Sequence, residues 1–413
     1  MAIDTLGANA LASNSVTSAK LAADAVTTAK IANDAVTGAK IPADAVVAAD
    51  IADGSITTAK LADNSVTSAK ALNFGRRNLI INGAMQVAQR GDQTGLTDAY
   101  TGVDRFKFIS NGGSVATGKQ GGSGVSTPEN GFSKSLHIDV TTADTSIAAS
   151  DYALVRQLIE GRNLQHLKYG TSSAETLTLS FWVKSPKTGV HWVEIFSFDS
   201  SKFNSASYTV SSANTWEKKT VSFVGETTTA IVDDNTSGIL VQWWLAAGST
   251  YTSGTHPGNV WHTTNANRVP GQVNVMDSTS NNFYLTGAQL EIGSSATNFE
   301  HLQFTEDLQN CMRYYYQSNY GAQFTTGDLY FGRNGYVMYI SFPTNMRANP
   351  SMTTCTDISL PSGGGSGHYI VHGTGNYTDG ANLHSTPNQF TMYTPQRSSS
   401  QPTKTGFKAN AEL

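Results

Sequence analysis

The chain has 413 residues, 14% of them charged, with a net charge of −4 and a pI near 6.1, which argues against a nucleic-acid groove, since that needs a basic stripe. Cys311 and Cys355 are its only cysteines, too few for a disulfide framework or a metal cluster, and the simplest expectation is assembly in a reducing cytoplasm. No apolar run nears the roughly 18 residues of a membrane span, and the opening MAIDTLGANALA lacks the basic and long apolar regions of a secretion signal.

Residues 1–10 precede a strict repeat. From residue 11 to 70 a ten-residue unit recurs six times: LASNSVTSAK, LAADAVTTAK, IANDAVTGAK, IPADAVVAAD, IADGSITTAK and LADNSVTSAK. Its apolar anchors are Leu11, Leu21, Ile31, Ile41, Ile51 and Leu61 at the first position, and Val16, Val26, Val36, Val46, Ile56 and Val66 at the sixth. Anchors five residues apart fall about 140° apart on an α-helix and on alternate faces of a strand, so neither regular element fits. Each unit must bend. Thr17, Thr27, Thr37, Thr57 and Thr67 are placed to cap one short helical turn, which the following Asn or Asp breaks. Two anchors per ten residues cannot give one chain a core that offsets the ordering of its backbone. The expectation is therefore a thin multi-chain stalk, with Leu21, Val26, Ile31, Val36, Ile41, Val46, Ile51, Ile56, Leu61 and Val66 converging on a shared axis. A disordered linker and a single-chain solenoid are the alternatives.

After residue 73 the pattern becomes β. In TLTLSFWVKS, Leu177, Leu179, Phe181 and Val183 alternate onto one face. HWVEIFSF, KKTVSFVG, GILVQWWLAAG and NNFYLTGAQLEIG read in the same way, and many such runs at short spacing predict a sandwich or jelly roll over 74–303. A connecting helix is predicted over 304–319, with Thr305 as N-cap, Glu306 and Asp307 in its first turn, and Leu308, Cys311, Met312 and Tyr315 on one face. A second β domain is expected over 320–413, including a hairpin at Asn334-Gly335 and exposed loops between Pro361 and Pro395.

Catalytic motifs are weak. GSVATGKQ places Gly113, Gly118 and Lys119 as a P-loop would, but Gln120 stands where Ser or Thr must hold magnesium, so a surface loop is expected. His368 and His372 fall about 13 Å apart on a strand, and His256 and His262 read as solvated loop residues. No GxSxG or HExxH occurs, and the pairs Asp233-Asp234 and Glu306-Asp307 read as a turn and a helix start. The chain is expected to be no enzyme and to need no cofactor.

The repeats DAVTTAKIA and GSITTAKLAD resemble stalk segments of tailed-bacteriophage tail fibres. RNLIINGAMQ (Arg77–Gln86), DRF at Asp104, SFWVKS at Ser180, Thr215-Trp216 and FYLTGAQLEIG at Phe283 resemble the carbohydrate-binding jelly rolls that phage appendages carry. NFEHLQFTEDLQNCMRYYYQS at Asn298, MRANP at Met346 and GFKANAEL at Gly406 resemble the segments C-terminal to those jelly rolls in such fibres. The resemblance implies a mainly β, elongated homotrimer with a decapeptide stalk over 11–73, a jelly roll, a short connecting helix and a C-terminal β-sandwich tip. It also implies a virion protein assembled in the host cytoplasm, docked on tail or portal-region proteins through residues 1–10 and binding a host-surface glycan. Related modules often carry an acid near a structural calcium where this chain has Gln86, so no metal site is carried over. A purely architectural collar or adaptor and a glycan depolymerase are the competing readings.

A sugar's C–H face stacks on aromatic rings while Asn, Asp and Gln read its hydroxyls. Loop aromatics among polar residues are accordingly the glycan candidates: Tyr251, Trp261, Tyr369, Tyr377 and Tyr393. Trp182, Trp192, Trp243 and Trp244, lying in strand runs, are assigned to the core or a subunit interface.

Overall fold

The computed structural model describes residues 26–27, 30–32, 35–37, 40–41, 45–47, 50–52 and 55 of the repeats, and residues 76–121 and 131–318. It also describes residues 323–324, 335–354, 370–371, 387, 389–395, 403–404 and 407–413. The chain divides into two compact units, Met1–Phe74 and Gly75–Leu413.

In the first unit the bend demanded by the five-residue spacing is a tight turn, and it occurs twice per decapeptide. The Lys30 and Lys40 amides donate to the carbonyls of Thr27 and Thr37 at 2.9 and 2.8 Å, and Asp50 donates likewise to Val47 at 2.9 Å. Between these, Ala35 donates to Ala32 at 3.1 Å and Ser55 to Ala52 at 3.0 Å. The sequence predicts one turn per unit at Thr and a break at Asn/Asp; that second stretch is itself a turn. Val26, Ile31, Val36, Val46 and Ile51 each sit immediately before such a turn. Val26, Val36 and Val46 are each 55% exposed, and Ile31, Ile41 and Ile51 are 43, 43 and 42% exposed. Leu21, Ile56, Leu61 and Val66 lie outside the described residues.

The second unit is built on a jelly-roll sandwich of twelve strands. They are β1 (Gln93–Leu96), β2 (Asp98–Tyr100), β3 (Lys107–Asn111), β4 (Val115–Gly121), β5 (Ser135–Thr142), β6 (Tyr152–Glu160), β7 (Leu177–Lys184), β8 (Gly189–Ser197), β9 (Lys202–Val210), β10 (Glu217–Phe223), β11 (Ser237–Ala247) and β12 (Asn282–Ile292). One antiparallel sheet runs β1-β4-β5-β12-β7-β10 and the other β2-β3-β6-β11-β8-β9. The alternation read in TLTLSFWVKS is realised: Leu177, Leu179, Phe181 and Val183 are fully buried between the sheets. The indole of Trp243 lies at the centre, 5.7 Å from the Phe181 ring and 6.4 Å from Phe106. GSVATGKQ is not a surface loop, because Val115–Gly121 is strand β4 paired along β5.

The β11–β12 connection opens with a short helix, α1 (Ser249–Thr252). Beyond the sandwich, helix α2 (Phe304–Met312) is shorter than the predicted 304–319 and is preceded by Gln303, not capped by Thr305. Its inward residues are Asp307 and Cys311, one turn apart, while Leu308 is only half-buried. It stops because the aromatic run that follows pairs as a strand, β13 (Tyr315–Gln317). The remaining strands are β14 (Gln323–Phe324), β15 (Gly335–Ser341), β16 (Ser351–Thr354), β17 (Ile370–Val371), β18 (Gln389–Pro395), β19 (Thr403–Lys404) and β20 (Phe407–Asn410). They form the small sheets β13-β20-β16, β14-β19 and β15-β18-β17. The first arm of the predicted Asn334-Gly335 hairpin lies outside the described residues; its second arm is β15, which pairs with β18.

One buried network joins segments more than 300 residues apart. Asn82, in a left-handed turn at φ 60°, donates to the carbonyls of Val87 and Asp104 at 2.9 and 3.1 Å and accepts from the Val87 amide. Asp104 accepts from the Gln89 amide at 3.0 Å. The Arg105 guanidinium is 1% exposed and lies 3.4 Å over the Tyr314 ring; it donates to the Leu158 carbonyl at 2.7 Å and pairs with Glu412. Arg90 reaches the same Glu412 at 3.0 Å, and Arg313 grips Glu160 through two bonds of 2.7 and 2.8 Å. Arg347 donates to the carbonyls of Ala411 and Glu412. The segments INGAMQ, DRF, NCMRYYY, MRANP and NAEL therefore meet at one place.

Burial pushes the Asp104 carboxyl up to about 6, against the opposing pull of Arg90. A carboxyl whose folded value lies above its unfolded 3.8 favours the native state most below pH 3.8, and that advantage fades as pH rises through 6. The span corresponds to on the order of 3 kcal/mol. Asp104→Asn is expected to gain stability relative to the wild type as pH rises from 4 to 7, measured by urea unfolding. A difference that stays constant over that range contradicts the assignment.

Candidate functional site

The residues between the buried positions of the first sheet must face outward. Leu136 and Ile138 on β5, Phe283 and Leu285 on β12, and Phe181 and Val183 on β7 are all fully buried. His137, Tyr284, Trp182 and Lys184 therefore occupy the other face, where all four are half-buried. Strand register sets them in line. Lys119 is opposite His137, His137 opposite Tyr284, and Tyr284 opposite Lys184. Glu217 pairs with Val183, so Trp216 comes beside Lys184. With strands about 4.8 Å apart, the row Lys119–His137–Tyr284–Lys184–Trp216 is roughly 19 Å wide. Trp182 belongs to the next row, between Thr286 and Lys218.

The row is braced from within. The His137 and Tyr284 rings stack at 4.4 Å with 21° between planes, and His137 Nε2 is bonded to Asn282 Oδ1 at 2.6 Å. Trp216 is tilted 60° to Tyr284 at 6.1 Å. The Lys184 ammonium lies 4.6 Å from the Tyr284 centroid and 5.8 Å from that of Trp216. Lys119 pairs with Asp139 at 2.8 Å. Partial burial lowers the pKa of His137, so its ring is neutral at pH 7, and burial also pulls the Lys184 ammonium down. Side chains held this way lose little freedom when a ligand arrives.

The same face is sealed at its other end. Thr178, Ser180, Gln289 and Glu291 point outward yet are at most 3% exposed, because the segment after β12 folds over them. Glu291 accepts from the Thr297 amide and hydroxyl, and Gln289 accepts from the Glu300 amide at 2.7 Å. A bulge at Gly287, with φ 57°, lets the Phe132 ring lie where a Cβ would stand. Phe132 in turn packs edge-on against Phe299 at 4.9 Å.

The loop aromatics chosen from sequence sit elsewhere. Tyr251, in α1, is 5.7 Å from the Tyr152 ring and 5.4 Å from Trp244, with the Arg268 guanidinium over its face. Arg268 is itself bonded to buried Glu194, so this group holds the β11–β12 connection against the second sheet. Trp261 donates to the Val224 carbonyl at 2.7 Å and packs against Tyr169 and the main core. Tyr369 and Tyr377 lie outside the described residues, as do His368 and His372. Tyr393 is within strand β18, opposite Val337 and Ile370, not in a loop. Trp192, Trp243 and Trp244 are buried as expected, but Trp182 is not in the core. The signal for Trp182 was present: if Phe181 and Val183 point inward, Trp182 and Lys184 point outward. Tyr284 follows likewise from Phe283 and Leu285.

His256 donates from Nε2 to the Ser205 carbonyl and lies against Trp192, and partial burial lowers the pKa of both His256 and His262. Among the described residues no group of three or more His, Cys, Asp or Glu is placed to hold a metal ion.

No protein-family model matches the chain, and no curated protein matches it. Loose alignments to solved structures exist. The enzymatically active domain of tailspike protein 4 from bacteriophage CBA120 aligns at 12% identity and a TM-score of 0.29, over 52% of this chain and 21% of that one. A family 11 carbohydrate-binding module from a Clostridium thermocellum cellulase aligns at 14% identity and a TM-score of 0.25, over 50% of this chain and 98% of that one. A putative sugar-binding protein from Bacteroides thetaiotaomicron aligns at 12% identity and a TM-score of 0.28, over 52% and 100%. Alignments this loose assign neither a family nor a ligand to this chain.

Proposed function

We propose that the Gly75–Leu413 unit binds a cell-surface glycan through the outward row on the first sheet. The observation that carries this is the row itself: Tyr284 and Trp216, with Trp182 beside them, set among Lys119, Lys184 and Asn282 on a face whose other end is covered by the segment after β12. Indole surface takes the C–H side of a sugar, and flanking donors and acceptors take its hydroxyls. The motif order from RNLIINGAMQ to GFKANAEL, with the decapeptide repeats, supports placing this unit in a bacteriophage tail fibre. In that reading residues 1–10 dock on tail or portal-region proteins, three copies assemble through the repeats, and assembly occurs in the host cytoplasm. The reading is one of binding without cleavage, since glycan hydrolysis needs two carboxylates about 5–10 Å apart facing one cleft. The acid beside the row is Asp139, opposite Asn282 and held by Lys119.

The test is retention on host-envelope polysaccharide. Replacing Trp182 and Trp216 together with Ala is expected to cost about 2 kcal/mol, roughly thirtyfold in affinity, with the melting temperature unchanged. If the folded double variant binds as the wild type does, or the wild type binds no host glycan, the architectural reading replaces this one.

A further inference from the structure

The outer face of the second sheet carries a charge that the protein itself leaves unmatched. Phe108 on β3, Val155 on β6 and Val241 on β11 point into the core, so their neighbours Lys107, Arg156 and Gln242 stand on the outer face. Register lines these up. Lys107 is opposite Arg156, Arg156 opposite Gln242, and Gln242 opposite Glu194. Along its own strand Arg156 lies between Leu154 and Leu158, both buried.

Among the described residues Arg156 stands apart from the other inward-packed arginines. Arg90, Arg105, Arg268 and Arg313 each bind a carboxylate, and Arg347 donates to three carbonyls. Arg156 is half-buried, yet its guanidinium makes no hydrogen bond and no ion pair, and its Nε is closed off from solvent. The acceptors around it are occupied. Both Glu194 oxygens are taken, by Gln242, Ser205 and Arg268. Asp98 is held by Lys107 at 2.7 Å, and Leu413 is engaged by the Tyr100 hydroxyl at 2.9 Å.

A guanidinium left unbonded between leucines costs free energy, and an apolar side chain of the same length would fill the space without that cost. Its planar fork matches the two oxygens of a carboxylate or a phosphate, and the resulting charge-assisted bonds strengthen where water is partly excluded. Lys107, on the adjacent strand, adds a second positive charge. Its pairing with Asp98 is weak competition, since that acid is 63% exposed.

We propose that Arg156, with Lys107 beside it, forms an oxyanion site on the second sheet that takes the carboxylate or phosphate group of an anionic ligand. The site lies on the opposite face of the sandwich from the aromatic row and stands independently of the glycan reading. A phosphate and a sugar-acid carboxylate share the chemistry, and the test separates them.

The melting temperature of the full chain is measured in sodium phosphate, sodium galacturonate and sodium chloride, matched at an ionic strength of about 0.15 M. The wild type should melt about 2 °C or more higher in at least one of the first two than in chloride. A response to one identifies the group, and a response to both shows that either is read. Phosphate also stabilises folded proteins generally, so the measure is the excess over the response of Arg156→Met. That variant should lose the excess and, in chloride, melt at or above the wild type, because it removes an unmatched charge. Lys107→Gln should keep only part of the excess. No excess in the wild type, which is an equal response in Arg156→Met, would overturn the site, and so would a Lys107→Gln variant that keeps the excess whole. An Arg156→Met variant that melts several degrees below the wild type in chloride would overturn it too, because the protein would then be satisfying the guanidinium itself.

Discussion

Replacing Glu412 with Ala is expected to destabilise the Gly75–Leu413 unit by about 3–5 kcal/mol in urea unfolding. The reason is the state in which the substitution leaves two arginines. Arg105 is 1% exposed and Arg90 is 8% exposed, and Glu412, itself 4% exposed, is the carboxylate both of them reach. Without it, a buried guanidinium keeps its desolvation cost and loses its partner. Tyr314 beneath Arg105 offers a ring face, which offsets only part of that loss. An exposed pair is the control. Arg76 and Glu306 are each more than 40% exposed, and Arg76→Ala should change stability by under about 1 kcal/mol. A Glu412→Ala effect no larger than the Arg76→Ala effect would mean that the network does not join the sandwich to the segment ending in NAEL.

Replacing both Val36 and Ile41 with Asp is expected to abolish self-association of the full chain. Val36 is 55% exposed and Ile41 43% exposed within a regular run of turns, so one copy of the chain leaves this apolar surface largely in water. Burying such side chains against further copies contributes about 1.5–3 kcal/mol each, multiplied along the repeat. Introduced carboxylates would converge on that interface and repel. Light scattering should give an oligomer for the wild type at micromolar concentration and a monomer for the variant. A monomeric wild type, or an unaffected variant, would remove the stalk from the account.

The sequence made the sandwich legible because period-two alternation is a direct imprint of a sheet with one buried face. TLTLSFWVKS and NNFYLTGAQLEIG reveal which residues line the core and, by complement, which stand outside. The candidate site was harder to read for two reasons. First, tryptophan in a strand reads as core or subunit interface, although the alternation places Trp182 on the outer face. Second, the row is assembled by register across strands whose residues lie up to 165 positions apart, from Lys119 to Tyr284, and pairing of β5 with β12 is invisible to local pattern. For Tyr251 and Trp261 the loop position carries no sign of their packing, since the connection that bears them is pinned onto the sandwich by Arg268 and by the Val224 carbonyl. Helix α2 was overextended because the tyrosines after Met312 continue an apolar pattern. Only the pairing of β13 with β20, nearly a hundred residues on, turns them into a strand. The five-residue spacing of the anchors shows the need for a bend, but not that Ala35 closes on Ala32 with the same hydrogen bond by which Lys30 closes on Thr27.

Hydroxyl-radical footprinting of the full chain with and without host-envelope polysaccharide locates the glycan site. Protection should appear at Trp182, Trp216 and Tyr284 together, with Tyr251 and Trp261 unchanged. Protection confined to Tyr251 and Trp261, or none at the row while polysaccharide is demonstrably bound, would contradict the assignment of the glycan site to this sheet.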